Sequence, residues 1–256
     1  MRSIVHRLWL CVVFVAASAC SSAKPTYVPR DPTLRTLPLY FYPSTTSNAP
    51  KAILFFFGND VGFWESHERL ALRLADRGYD VVGFDIKQYL SKLPDDAAVR
   101  ARTFQRQIVP LIARSAAELH ADTLPLVIGG HSFGASLAIW TAAHTHPAHL
   151  AGVLAMAPTL RSHFFITASD LANLHEPTEP GSFGIADVVR SIPPSVRIAL
   201  VRGAHDKRLA GDSAIRVAGG PRLDYTEIPL SGHSLKALTL AGPMIGNAMD
   251  WIILGK

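Results

Sequence analysis

With 256 residues, 48% of them hydrophobic and 18% charged, the chain can bury a substantial core and is neither disordered nor a coiled coil. Its formal net charge of +5 includes Arg2 and Arg7 of an N-terminal leader, leaving +3 for the rest, and no run of Lys or Arg accompanies it. That distribution argues against nucleic acid as a partner.

The leader comes first. Arg2, His6 and Arg7 make a basic start, and the apolar run from Leu8 to Ala17 is too short to span a bilayer. Ala17-Ser18-Ala19 then precedes Cys20-Ser21-Ser22, which resembles the box where a bacterial lipoprotein is cut and its cysteine acylated. Residues 1–19 therefore read as a signal peptide, and Cys20 as the lipidated first residue of the mature chain. The other cysteine, Cys11, falls inside the leader, so no disulfide explains Cys20. An ordinary cut after Ala19, releasing a soluble periplasmic protein, is the alternative. Residues 20–36, rich in Pro, Thr, Ser and Lys, read as lipidated N-terminus and tether. The expected location is the periplasmic side of a bacterial envelope, with the lipid in a membrane, the outer one favoured.

From residue 37 strands and helices alternate. Residues 37–42 make a short edge strand, closed by Pro43 and a Ser/Thr/Asn turn. The continuous apolar run 52–57 is a central strand, and Gly58-Asn59-Asp60 is its exit loop. Residues 65–77 are helical, with Leu70, Ala71 and Leu74 on one side and Gly78 as the stop. Arg69, Arg73 and Arg77 form a solvated stripe on that helix, with Glu65 pairing to Arg69; a weak attraction to anionic lipid is the livelier reading. Residues 80–84 are a strand, and 95–119 are helical but broken at Pro110. Then follow a strand from 124 to 129, a helix to about 145 and a strand over 150–156. Residues 159–194 interrupt the rhythm with His163-Phe164-Phe165-Ile166 and the Pro-rich stretch 176–181. Such an excursion lies over the strand C-termini where ligands bind, and it reads as a lid, with a plain surface loop as the alternative. Strands at 197–201 and 223–228 and a helix over 236–254 close the chain. The pattern calls for one α/β domain, 37–256, with a mostly parallel sheet, helices on both faces and right-handed crossovers.

The chemistry centres on Gly130-His131-Ser132-Phe133-Gly134. An apolar strand before this Gly-x-Ser-x-Gly pentad and a helix after it form a sharp turn that lifts the Ser132 hydroxyl above the sheet edge. Side chains in place of Gly130 or Gly134 would collide with the neighbouring strand and helix. A serine needs a base, and the base needs an acid to hold its tautomer. In this fold the order is Ser, acid, His, which Ser132, Asp206 and His233 satisfy at successive strand exits. Asp212 and Asp170 are alternative acids. The oxyanion needs two backbone N–H groups, one from Phe133 and one from the loop at Asn59 or Asp60. His131 points away from the hydroxyl and reads as a packing or supporting residue. His144, His146 and His149 cluster near a helix end, but no carboxylate or cysteine joins them, so no metal site is expected. No glycine-rich phosphate loop is present, and no cofactor is expected.

The chain resembles the bacterial VirJ/AcvB virulence-protein family of α/β-hydrolases over most of residues 50–253. The resemblance rests on Phe56-Phe57-Gly58-Asn59-Asp60-Val61-Gly62-Phe63, on Asp80-Val81-Val82-Gly83-Phe84-Asp85 with Tyr89, on Gly130-His131-Ser132-Phe133-Gly134-Ala135, and on Ser231-Gly232-His233. The family usually carries Tyr where His131 stands, Asp where Ser136 stands, and Trp where Phe63 stands. What the resemblance implies is an α/β-hydrolase fold and a periplasmic serine esterase. In some members it acts on aminoacylated phosphatidylglycerol, and other members serve as accessory factors in secretion or virulence. A lysyl ester such as lysyl-phosphatidylglycerol would want a carboxylate near Ser132 for its ammonium, and Asp60 and Asp85 stand at strand exits on that edge. Asp85 reads equally well as a helix cap. Two other readings stand beside this one: a general carboxylesterase or lipase, with Phe164 and Phe165 favouring acyl chains, and a non-catalytic accessory protein that keeps the fold.

Overall fold

Strands buried on both faces must be apolar at every position, not only at alternate ones. In the computed structural model, which describes residues 27–172, 175–234, 236 and 243–255, such runs build the sheet. In chain order its strands are β1 (Leu39–Tyr42), β2 (Ala52–Phe57), β3 (Tyr79–Phe84), β4 (Leu126–His131) and β5 (Leu150–Met156). Short strands β6 (Arg161–Ser162) and β7 (Phe183–Gly184) form a separate antiparallel pair, and β8 (Arg197–Gly203) and β9 (Leu223–Ile228) complete the main sheet. Its seven strands lie in the order β1-β3-β2-β4-β5-β8-β9. Edge strand β1 runs antiparallel to β3, and every other pair in that sheet is parallel. All strand C-termini except that of β1 therefore reach one edge, which is where the functional residues collect.

The helices are α1 (Pro32–Arg35), α2 (Glu65–Asp76), α3 (Ile86–Leu90), α4 (Ala97–Glu118), α5 (Phe133–His144), α6 (Ala168–Ala172), α7 (Ile185–Ser191), α8 (Asp212–Gly219) and α9 (Pro243–Leu254). Because strand side chains alternate, β2 sends Ile53, Phe55 and Phe57 to the face covered by Phe104 and Ile108 of α4, Leu137 and Ile139 of α5 and Val189 of α7. Leu54 and Phe56 go to the other face, against Leu70 and Leu74 of α2 and Met249 and Ile252 of α9.

Three expectations need correcting here. Pro110 does not break α4, which runs unbroken through it. Pro110 sits on the exposed face, where water satisfies the carbonyl its ring cannot serve, while buried Phe104, Ile108, Leu111 and Ile112 hold both halves on the sheet. Residues 27–36 are not a free tether. The Glu118 carboxylate at the end of α4 accepts the Tyr27 hydroxyl (2.9 Å) and the N–H groups of Arg30 (2.6 Å) and Asp31 (3.0 Å), and Leu34 is buried. The excursion is also shorter than 159–194. Its last part is α7, the crossover helix between β5 and β8, with Ile185, Val188 and Val189 buried in the core. The expected leader, Cys20 and residues 237–242 of the last helix lie outside the described residues.

Candidate active site

Ser132 is held in a strained backbone conformation. It stands between β4 and α5 at φ 55°, ψ −120°, a left-handed φ that costs a side-chain-bearing residue energy and persists only when its surroundings enforce it. Its N–H is held by the Met156 carbonyl at 2.9 Å. The flanking glycines allow the close approach. A methyl on Gly134 would lie 1.9 Å from the Gly58 carbonyl oxygen, and one on Gly130 would lie 2.5 Å from the Gly134 backbone. Strand exit β2 and the start of α5 thus touch backbone to backbone.

Three strand exits bring the predicted residues together. Ser132 Oγ lies 2.8 Å from His233 Nε2, and His233 Nδ1 lies 2.8 Å from Asp206 Oδ2. With Nδ1–H donating to the carboxylate, Nε2 is left as the acceptor for the serine proton. Asp206 is buried. Burial by itself raises its pKa, but hydrogen bonds from His233, from the Arg208 N–H (3.0 Å) and from Arg202 (2.8 Å) outweigh it and hold the carboxyl well below the usual range. The other candidate acids are occupied elsewhere. Asp212 pairs with Arg202, at 2.6 and 2.9 Å, and Asp170 accepts from His163 and Thr167.

Arg202 is the residue that sequence reasoning missed. Its side chain is fully buried on β8, bridges Asp206 and Asp212 and donates to the Pro158 carbonyl at 2.8 Å. An arginine in the otherwise apolar run Ile198-Ala199-Leu200-Val201-Arg202 was the available signal, because a guanidinium is buried only with carboxylates beside it.

Of the two N–H groups expected at an oxyanion, that of Phe133 opens α5, where the first amides have no intrahelical partner. The second is not free as expected. The Asn59 N–H points to the Gly62 carbonyl at 3.3 Å, closing a tight turn with the return bond Gly62 N–H to Asn59 O at 3.0 Å, and the Asp60 N–H faces its own carboxylate. At that length the Asn59 bond is weak, and an incoming oxyanion can compete for it.

A cavity of about 240 Å³ opens over Ser132 and His233. Asn59, Asp60, Phe133, Leu171, Glu176 and Arg208 are among the residues that line it. Burial raises the pKa of Asp60, and nearby Asp170 adds to that against the pull of His233 and Lys87. Asp85 is not at the cavity. Its carboxylate accepts the Gln88 N–H at 2.9 Å and caps α3, so the capping reading replaces the binding one. The excursion reaches the site through Asp170, Leu171, His175, Glu176 and Pro177, with Glu176 accepting the N–H groups of Leu160 (3.1 Å) and Arg161 (2.9 Å) and pairing with Arg208 at 2.7 Å. Phe164 and Phe165 do not face it. Phe164 is buried against Phe104 and Trp140, and Phe165 stacks on Arg100. Among the described residues no group of three or more His, Cys, Asp or Glu could hold a metal ion, and no helix is long and apolar enough to cross a membrane.

No family model matches the chain, and no curated protein matches it either. Solved structures do. A protein from Klebsiella pneumoniae described as a dienelactone hydrolase superposes with a TM-score of 0.60 at 15% identity, over 85% of this chain and 92% of that one. Est1E from Butyrivibrio proteoclasticus gives 0.60 at 12% identity, over 84% and 93%. A highly thermostable carboxyl esterase from Bacillus coagulans gives 0.59 at 15%, over 84% and 94%. At such identities the likeness speaks for the fold. The chain has the α/β-hydrolase fold, with the strand order and nucleophile turn described above.

Proposed function

We propose that the protein is a serine hydrolase that cleaves carboxylic esters, with Ser132 as nucleophile, His233 as base and Asp206 as the acid that orients it. The observation that carries this reading is the chain of two 2.8 Å hydrogen bonds from Ser132 Oγ through His233 to Asp206 at the floor of the cavity. His233 Nε2 takes the Oγ proton as Oγ attacks the ester carbonyl carbon. The oxyanion that forms is stabilised by the Phe133 N–H and by Asn59 once its turn opens. His233 then protonates the leaving alcohol, and water, activated the same way, releases the acid and restores Ser132. The esterase names borne by the structural relatives support the same reading.

The finer proposal is an ester carrying a cationic group, such as the aminoacyl ester of a phospholipid like lysyl-phosphatidylglycerol. Two observations support it: the resemblance to VirJ/AcvB proteins and the half-buried carboxylate of Asp60 on the cavity wall. Burial disfavours that charge, and a substrate ammonium would offset it. Cys20 as an acylated anchor on the periplasmic side of the envelope belongs to the same proposal, since it would hold enzyme and lipid substrate together. A general carboxylesterase is the second reading, favoured by the names of the structural relatives; with Phe164 in the core and Phe165 stacked on Arg100, neither supports an acyl-chain site.

The test compares kcat/KM on a lysyl ester and on a neutral ester of equal size, for the wild type and Asp60→Asn. A charge-assisted hydrogen bond is worth about 1.5–3 kcal/mol, so the variant should lose roughly ten- to a hundredfold on the cationic ester and little on the neutral one. Equal losses on both, or a wild type indifferent to the charge, would leave the general carboxylesterase.

A further inference from the structure

His131 and His67 are buried and have no part in the reaction as written, yet one of them reaches the catalytic base. His131 Nε2 lies 2.8 Å from the carbonyl oxygen of His233. A carbonyl only accepts, so Nε2 bears the proton, and Nδ1 of the neutral ring is a bare acceptor. Burial, with His233 nearby, pushes the His131 pKa down to about 3. In His67, Nδ1 accepts the Trp64 N–H at 3.3 Å, which makes Nε2–H a donor. Burial and the neighbouring His131 hold its pKa well below the ordinary value.

The atoms left over are complementary. His67 Nε2 and His131 Nδ1 are both buried without a hydrogen-bond partner. Their rings are neighbours, with centroids 5.9 Å apart, and the His131 and His233 rings follow at 5.5 Å. An unpaired donor beside an unpaired acceptor closes by a small ring rotation or through one bridging water. We propose that His67 and His131 form a neutral hydrogen-bond relay, from His67 Nε2–H to His131 Nδ1 and from His131 Nε2–H to the His233 carbonyl, that positions His233 for proton transfer from Ser132.

The place of the bond explains its use. His131 is the chain neighbour of Ser132, so its side chain ties the exit of β4 to the loop after β9 and sets the distance between nucleophile and base. That loop contains Leu230 at φ 57°, an exposed residue, and Gly232, a methyl on which would meet nothing within 4 Å. Between them Ser231 is buried and its carbonyl accepts the His205 N–H at 2.8 Å; the His131 bond extends that anchorage to His233 itself, and a base displaced by about 1 Å can lose on the order of 10²-fold in rate. His131 is thus a positioning residue, acting through His233.

The inference rests on the hydrolase reading, and the experiment separates the two. Nitrogen-15 histidine NMR of the wild type should show the Nε2–H tautomer in His131 and His67, both uncharged at pH 5. An Nδ1–H tautomer or a charged ring at either position overturns the relay whatever the activity. The rate of Ser132 labelling by a fluorophosphonate is then measured in His131→Leu and His131→Gln. The first removes the donor; the second places an amide N–H where Nε2–H stands. His131→Leu should label on the order of 10²-fold more slowly with KM for an ester unchanged, and His131→Gln should recover to within about tenfold of wild type. Equal rates in both variants, whether both fast or both slow, overturn the proposal. A wild type that is not labelled at all overturns the hydrolase reading instead.

Discussion

Arg202 contributes no surface to the cavity, yet the charge of Asp206 depends on it. Breaking a buried pair by removing one partner costs about 3–5 kcal/mol, because the other charge stays behind. Arg202→Met strands two carboxylates, Asp206 and Asp212, and should destabilise the fold by at least that order in urea unfolding at neutral pH. The pH dependence follows from sign. The folded pKa of Asp206 lies below its ordinary 3.8, so its contribution is complete above that value and lost as pH falls through the folded one. Without Arg202 the depression shrinks, and the acid-unfolding midpoint should move to higher pH. A variant as stable as wild type in both measurements would contradict this role. At this scale the sequence was a good guide to the meeting of Ser132, His233 and Asp206, because chemistry fixes their order and each sits at a strand exit. It was a poor guide to Asp85, since capping and ligand binding ask for the same residue in the same place.

Among the elements, the covering segment has its own electrostatic clasp. Buried His163 donates from Nε2 to Asp170 Oδ2 at 3.0 Å, and the Glu179 carboxylate lies against its Nδ1. Burial lowers the His163 pKa, but the hydrogen bond and charge of Asp170, with Glu179 behind them, raise it overall. Burial raises that of Asp170, but His163 and Thr167 bring it down to about 2. The raised histidine stabilises fully below 6.5 and loses that contribution as pH rises through its folded value; the depressed aspartate stabilises above 3.8 and loses it toward 2. The segment should therefore be held tightest between about pH 4 and 6.5, and its opening should ease above that by on the order of tenfold per unit of the histidine's elevation. Hydrogen exchange of amides 163–172, corrected for intrinsic rates and referenced to α5, measures this; a flat ratio across the range would refute the clasp. Pattern reading worked where one force dominates, as in the apolar runs of β2 and β5. It failed where two compete. Phe164 sits in an irregular stretch but belongs to the core, and α7 is too short to stand out from the loop around it.

The whole molecule makes its site from the exits of β2, β4, β8 and β9, segments far apart in sequence that only the parallel sheet brings to one edge. Alternating strands and helices made that edge legible beforehand; the docking of residues 27–36 on Glu118 was not, because Pro, Thr and Ser suit a tether and a docked arm alike. A site assembled this way exists only in the folded chain, and that sets the most direct measurement. Native protein is treated with a fluorophosphonate and the labelled peptide is identified by mass spectrometry, beside Ser132→Ala and heat-unfolded wild type. The expected result is stoichiometric label on Ser132 in the native protein and none in either control, with ester turnover by Ser132→Ala reduced on the order of 10⁶-fold. Label on Ser132→Ala equal to wild type, or a native wild type that takes none, would contradict the account.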